Sequence, residues 1–174
     1  LFGELYFLKK YMLEEYGASI AIQAWSGPDG RSKDYSVGTD WYEIKTVGAN
    51  SPNVRISSLA QLSSEHDGHL VVIRAERMSD QFDNGEACVH DLFKYILTVL
   101  NNETLEGIFL SKLSAFGYDI SDESYTAKFD VKSMTSYKVS DGFPRITEQD
   151  VQRVEICDVS YSLIINALKP YMED

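Results

Sequence analysis

Residues 69–77, HLVVIRAER, place four apolar side chains in a row, with no polar residue to mark a solvent face. A strand of this kind is buried on both faces of its sheet. The helices needed to cover it are legible elsewhere. Leu1, Leu5, Leu8, Met12 and Tyr16 recur at helical spacing, so residues 1–16 read as an amphipathic helix ended by Gly17. Residues 89–101 turn Leu92, Phe93, Ile96, Leu97 and Leu100 inward, and residues 103–116 gather Leu105, Ile108, Phe109, Leu113 and Phe116 on one face. Residues 33–37, 41–47 and 54–57 read as strands, and SLAQLSS (58–64) as a short helix. Residues 124–140 alternate with period two and read as one long or two short strands, and 153–165 as a strand pair or one bent strand. ASIAIQAW (18–25) fits either a helix or a strand, and SGPDG (26–30) is a turn. The order of elements describes one α/β or α+β domain over residues 1–174. The first residue, Leu1, already lies in a helical pattern, so the chain is expected to be the C-terminal part of a longer protein.

The hairpin SKDYSVGTDWYEIKTVG (32–48) carries unusual charge. Glu43 and Lys45 are two apart on a strand and share a face, with Ile44 on the other. A two-residue loop at Gly38-Thr39 pairs Val37 with Asp40 and sets Asp34 opposite Glu43, with Cβ atoms about 5 Å apart. A three-residue loop would oppose Asp34 to Ile44 and break the cluster. Two carboxylates so close repel each other. A hard divalent cation, Mg²⁺ or Mn²⁺, would resolve that, with the Ile44 carbonyl as a further ligand at the strand edge. Lys45 would then place positive charge near an attacking water and the developing charge on phosphorus. A plainer reading stays open: an exposed charged strand face on which Lys45 pairs with Glu43 or Asp34.

Other features exclude more than they assign. A net charge of −11 and a pI near 4.7 leave no basic footprint for nucleic acid at the level of the whole chain. Carboxylates that hold metal contribute to that acidity. No apolar run is long enough to cross a membrane as a helix, and no signal peptide is visible. Cys88 and Cys157 match no metal or redox spacing and are expected to be reduced core residues, which suits a cytoplasmic setting. His66 and His69 flank Asp67-Gly68 and read as a solvated turn, with a transition-metal site shared with Glu65 and Asp67 as the lesser alternative, while His90 lacks a nucleophile pattern. GPDG (27–30) is no phosphate loop. Tyr6, Tyr11, Tyr16, Tyr95, Tyr118, Tyr125 and Tyr137 read as packing.

Asp34-x8-Glu43-Ile44-Lys45, preceded by a helix bearing Glu4, resembles the PD-(D/E)XK nuclease superfamily. More narrowly, FGELYFL, AWSGPDG, KDY, EIK, ISSLAQL and GFPRIT run in order over residues 2–147. They resemble a bacterial family of PD-(D/E)XK motif proteins linked to restriction and phage-defence gene clusters. The resemblance implies a restriction-endonuclease-like core, a central mixed sheet flanked by helices. It implies that Asp34 and Glu43 bind metal, that Lys45 orients or activates water, and that Glu4 is a further acid of the metal site. Several branches of the superfamily place a site glutamine after the ExK strand, so Gln61 is expected to touch substrate or Lys45, with Ser57 beside it. An exposed helix Gln and an N-cap role for Ser57 or Ser58 stay open. The literal Pro28-Asp29 sits in a turn, and Lys33 precedes Asp34, so Asp34 rather than Asp29 takes the aspartate position.

The expected function is metal-dependent hydrolysis of DNA phosphodiesters in a restriction or phage-defence system. Expected partners are DNA, a second copy of the chain and other proteins of such a system, with no membrane. The alternative is a nuclease-like domain that binds DNA or a partner protein without cutting.

Overall fold

The computed structural model describes residues 1–27, 30, 32–79 and 88–173. In chain order these form α1 (Phe2–Phe7), a π-helical turn (Leu8–Met12), α2 (Leu13–Ala24), β1 (Tyr35–Val37), β2 (Asp40–Gly48) and β3 (Asn53–Ile56). A 3₁₀ turn (Leu59–Gln61), β4 (Gly68–Arg77), α3 (Val89–Val99), α4 (Glu103–Ala115) and a second 3₁₀ turn (Glu123–Thr126) follow. The chain ends with β5 (Phe129–Val139), β6 (Tyr161–Ile164) and a 3₁₀ segment (Ile165–Tyr171).

The apolar run of β4 lies between β2, which it meets in parallel, and β5, which it meets antiparallel, in a sheet ordered β1-β2-β4-β5. Its alternate side chains enter two different cores. Val71, Ile73 and Ala75 join Tyr42 and Ile44 beneath the helices. Leu70 and Val72 join Trp41, Tyr137 and Val139 on the reverse face. Each such side chain, once fully buried, contributes roughly 1.5–3 kcal/mol, which is why no position in the run could be polar.

The reverse face is covered by β3 and β6, which pair with each other antiparallel as a separate two-stranded sheet, Val54 opposite Leu163. The strand read at 54–57 therefore exists but lies outside the main sheet. Only Tyr161–Ile164 of the segment 153–165 is strand, since residues 153–160 are mostly exposed and have no sheet to complete. The 124–140 pattern resolves into the single strand β5, and 18–25 into helix. Gly17 interrupts α2 with a left-handed φ of 73°, as its place at the end of the first apolar stripe predicted. The π-helical turn has no signature in the 1–16 spacing. Cys88 is buried and caps α3, whereas Cys157 is exposed, contrary to its expected place in the core.

Gly68 opens β4 directly over an indole. A Cβ there would fall 2.0 Å from Cε2 of Trp41. Trp41 cannot yield easily, because its Nε1 donates to the His66 carbonyl at 3.0 Å. Gly68→Ala is therefore expected to cost about 2–3 kcal/mol through overpacking, read as a lower urea midpoint with an unchanged slope.

Candidate metal centre

The hairpin turn is the two-residue loop Gly38-Thr39, closed by the pair Val37–Asp40, with Ser36 opposite Trp41 and Tyr35 opposite Tyr42. Gly38 supplies the positive φ of 59° that such a turn requires. The regular ladder stops at Tyr35, while β2 continues to Gly48. One edge of β2 is therefore open from Glu43 onward among the described residues.

Asp34 occupies the first position of that open edge. Its N–H donates to the Tyr42 carbonyl at 3.1 Å, and its own carbonyl accepts from Ser26 and Gly27 at 2.8 and 3.2 Å. Its side chain continues the ladder in place of backbone: Oδ2 accepts the Ile44 N–H at 2.7 Å. A strand residue turns its N–H and C=O to the same neighbour, so the Ile44 carbonyl also faces this edge. Glu43 and Lys45 flank Ile44. Lys45 Nζ lies 2.8 Å from Glu43 Oε1, and the Glu43 side chain is 2% exposed. Such burial argues against an ordinary surface ion pair, because desolvating two charges costs about what their attraction returns.

Glu4 approaches from α1. Its Oε2 accepts from Trp25 Nε1 at 2.7 Å, and its backbone carbonyl accepts from the Tyr35 hydroxyl at 3.0 Å. The Glu4 and Asp34 carboxylates converge on Gly27. A Cβ on Gly27 would stand 2.6 Å from Glu4 Oε2 and 3.1 Å from Asp34 Oδ1.

The electrostatics register this crowding. Burial, then Glu43, then Glu4 push the Asp34 carboxyl up to about 8. Burial raises Glu43 as well, against the pull of Lys45. A buried and a half-buried carboxyl that resist ionisation together hold a proton where a cation would serve better. Among the described residues, no three Asp, Glu, His or Cys side chains are gathered tightly enough to hold an ion by themselves. The donors at the edge are two carboxylates and one carbonyl. That set suits a small hard cation, which keeps several waters and takes few protein ligands.

The remaining expected residues are placed differently. Gln61 Oε1 accepts the Ser57 N–H at 2.7 Å, so it closes its own turn. Ser58 stands at the N-cap of that turn but makes no side-chain cap bond. Pro28 and Asp29 lie outside the described residues. His69 is no solvated turn residue: it stacks on Tyr42 with centroids 4.7 Å apart and bonds Glu173 through Nδ1 at 2.7 Å.

Lys33 was legible only as a departure from the literal motif, yet it holds the neighbourhood together. Its Nζ donates to the carbonyls of Ala60, Gln61 and Ser63 at 2.7, 2.7 and 3.0 Å. It also sits 3.9 Å from the centroid of the Trp41 ring. Burial pulls it down to about 8, against the Glu43 charge. Alternation along the strand, with Lys33 turned away from Asp34, was the one signal available.

Residues 1–166 match the family model described as "Putative PD-(D/E)XK family member, (DUF4420)". The chain belongs to this family. As a PD-(D/E)XK family member it has a nuclease-like fold, a central mixed sheet flanked by helices, and nucleases of that superfamily typically use divalent metals. No curated protein and no solved structure matches the chain. No helix among the described residues is long and apolar enough to cross a membrane.

The gap at Gly27 gives a direct probe of the site. Gly27→Ala is expected to force the Glu4 and Asp34 carboxylates apart and weaken Mg²⁺ or Mn²⁺ binding about tenfold, roughly 1.4 kcal/mol, measured by calorimetry, with the fold retained.

Proposed function

We propose that this domain hydrolyses phosphodiester bonds in DNA with the help of Mg²⁺ or Mn²⁺, as part of a restriction or phage-defence system in the cytoplasm. The observation that carries the proposal is the Asp34 carboxylate bound to the Ile44 amide at an open strand edge, beside the buried Glu43–Lys45 pair. Asp34, Glu43 and the Ile44 carbonyl would hold the ion, with Glu4 behind Asp34. The ion would supply charge stabilisation on the phosphate and lower the pKa of a bound water. The protein's own groups do the rest. Asp34 and Glu43 fix the phosphate's position by fixing the ligand geometry, and the Ile44 N–H keeps Asp34 from turning away. Lys45 keeps its ammonium at the edge through Glu43, where it can orient the attacking water or meet charge developing on a phosphate oxygen. Gln61 and Ser57 are the proposed contacts to the substrate strand, which requires Gln61 to give up its bond to the Ser57 N–H. Two copies of the chain would be needed to cut both strands at once.

The second reading is a nuclease-like domain that binds DNA or a partner protein without cutting. The net charge of −11 favours its partner-protein form, since it repels a phosphate backbone. Supercoiled plasmid incubated with the protein and Mg²⁺ or Mn²⁺ separates the two. Nicked and linear products that chelator abolishes support hydrolysis. Intact plasmid alongside a measurable metal heat assigns the domain to binding.

A further inference from the structure

A cavity of about 510 Å³ opens on the helix-side face of the sheet, a size that suits a small organic ligand. Phe7, Tyr11, Tyr42 and His69 line it, together with the exposed Met134 and Met172. Tyr42 immediately precedes Glu43 on β2, so the cavity and the candidate metal centre share one strand on opposite faces. Four features of its chemistry converge.

The first is flat π surface. Tyr42 and His69 stack with an interplanar angle of 15°, and Phe7 and Tyr11 stack at 5.1 Å and 19°. Such faces favour a planar ring, and the polarizable thioethers of Met134 and Met172 add to that preference. The second is an acceptor. His69 Nδ1 is taken by Glu173 Oε2, which also accepts from the Ser136 hydroxyl at 2.7 Å. When the imidazole is neutral and gives its Nδ1–H to Glu173, Nε2 is left as an acceptor, and among the described residues Nε2 has no partner.

The third is a donor. The Tyr42 hydroxyl meets those of Tyr16 at 2.8 Å and Tyr11 at 3.4 Å. Three phenols bring three protons to two contacts, so one O–H remains, and donation from Tyr16 to Tyr42 and from Tyr42 to Tyr11 leaves it on Tyr11, which lines the cavity. The fourth is charge: no Lys or Arg lines the cavity among the described residues, and Glu173 does. A phosphate is thereby disfavoured and an uncharged ring bearing an N–H favoured. The π-helical turn that carries Tyr11 to the wall is a helix irregularity of the kind found frequently at functional sites.

We infer that this cavity binds an uncharged heteroaromatic ring of the nucleobase type, stacked against its aromatic walls, with an N–H given to His69 Nε2 and a ring acceptor met by the tyrosine hydroxyls. Its ring could come from a free nucleoside or from a base turned out of nucleic acid. The second source rests on the nuclease reading.

The test titrates adenosine, guanosine, cytidine and thymidine, and their 5′-monophosphates, into the protein by calorimetry without metal. At least one nucleoside is expected to saturate, its monophosphate binding no more tightly. His69→Phe, which keeps the stack but loses Nε2, and Met134→Trp, which fills the mouth from a partly exposed position, are each expected to weaken it at least tenfold. No saturable nucleoside, a tighter monophosphate, or wild-type binding by both variants would overturn the inference. Duplexes carrying 2-aminopurine distinguish the sources. A fluorescence rise that Met134→Trp abolishes assigns the cavity to an extruded base. A silent duplex beside a bound nucleoside assigns it to the free ligand, and both outcomes uphold the ring. Glu43→Ala should stop hydrolysis and leave nucleoside binding intact. Nucleoside binding by a protein that never cuts plasmid would remove the nuclease reading and leave this one standing.

Discussion

Metal-free protein is expected to lose stability as the pH rises from about 4 to about 8, and Mg²⁺ or Mn²⁺ is expected to restore it. Asp34 sets most of the slope, and Glu43, also raised by burial, adds to it with the same sign. The Asp34 carboxyl ordinarily titrates at 3.8, and burial, then Glu43, then Glu4 lift it to about 8 in the folded chain. A carboxyl whose folded pKa exceeds its unfolded one holds its proton more tightly when folded. The folded state therefore binds more protons than the unfolded one across this window. The associated stability is present below about pH 4 and is lost as the pH climbs through the folded pKa. Lys33 does not disturb the reading. Its lowered pKa acts with the opposite sign, between about 8 and 10.5, above the window.

One pKa unit corresponds to about 1.4 kcal/mol. Asp34 is only half-buried, and solvent screening reduces the effect, so a loss of about 1–3 kcal/mol is expected, read by urea unfolding at pH 5 and pH 8. Asp34→Asn should flatten the slope, since an amide oxygen can still accept the Ile44 N–H without carrying charge. A divalent ion should displace the Asp34 proton, so its binding heat at pH 7 should differ between buffers of different ionisation enthalpy, by roughly one proton per ion. An unchanged slope in Asp34→Asn, or a metal heat that ignores the buffer, would remove Asp34 from the centre.

What the sequence disclosed about this centre follows the reach of each interaction. The hairpin and its register were legible because Gly38 and the period-two strands around it are local. The both-faces burial of β4 was legible because four apolar residues in a row leave no alternative. The grip of the Asp34 side chain on the Ile44 amide was not, because there the ladder departs from regular pairing and a side chain replaces backbone. The depth of Glu43 was hidden for a different reason. Its face is closed by core residues from β3, β6 and the C-terminal segment, the last two far along the chain from β2. Lys33 was read as a mismatch to a motif because its three carbonyl acceptors lie 27 to 30 residues ahead. The His69–Glu173 pair spans 104 residues, and no local pattern could have taken His69 out of its turn.

Lys45→Ala is expected to slow metal-dependent plasmid cleavage by about 10²–10³-fold, the loss typical when one preorganised charge-stabilising group is removed. Metal binding should change far less, and in a way that depends on pH. Lys45 is the main influence holding the Glu43 carboxyl down against burial. Without it, Glu43 keeps its proton to higher pH, and the ion must displace that proton to bind. Metal affinity should therefore fall most near neutrality and recover as the pH is raised, whereas the cleavage defect should persist at saturating metal at every pH. That split separates a group acting on the reaction from one that only maintains the site. Lys45→Arg sharpens it. The guanidinium restores a partner for Glu43, so metal affinity should return, but its planar fork cannot reproduce a compact ammonium 2.8 Å from Glu43 Oε1, and cleavage should return only in part. Glu43→Ala, which removes a proposed ligand, should abolish both. Cleavage by Lys45→Ala at the wild-type rate would take Lys45 out of the reaction. Loss of metal binding and cleavage together, at every pH, would reduce it to a structural partner of Glu43.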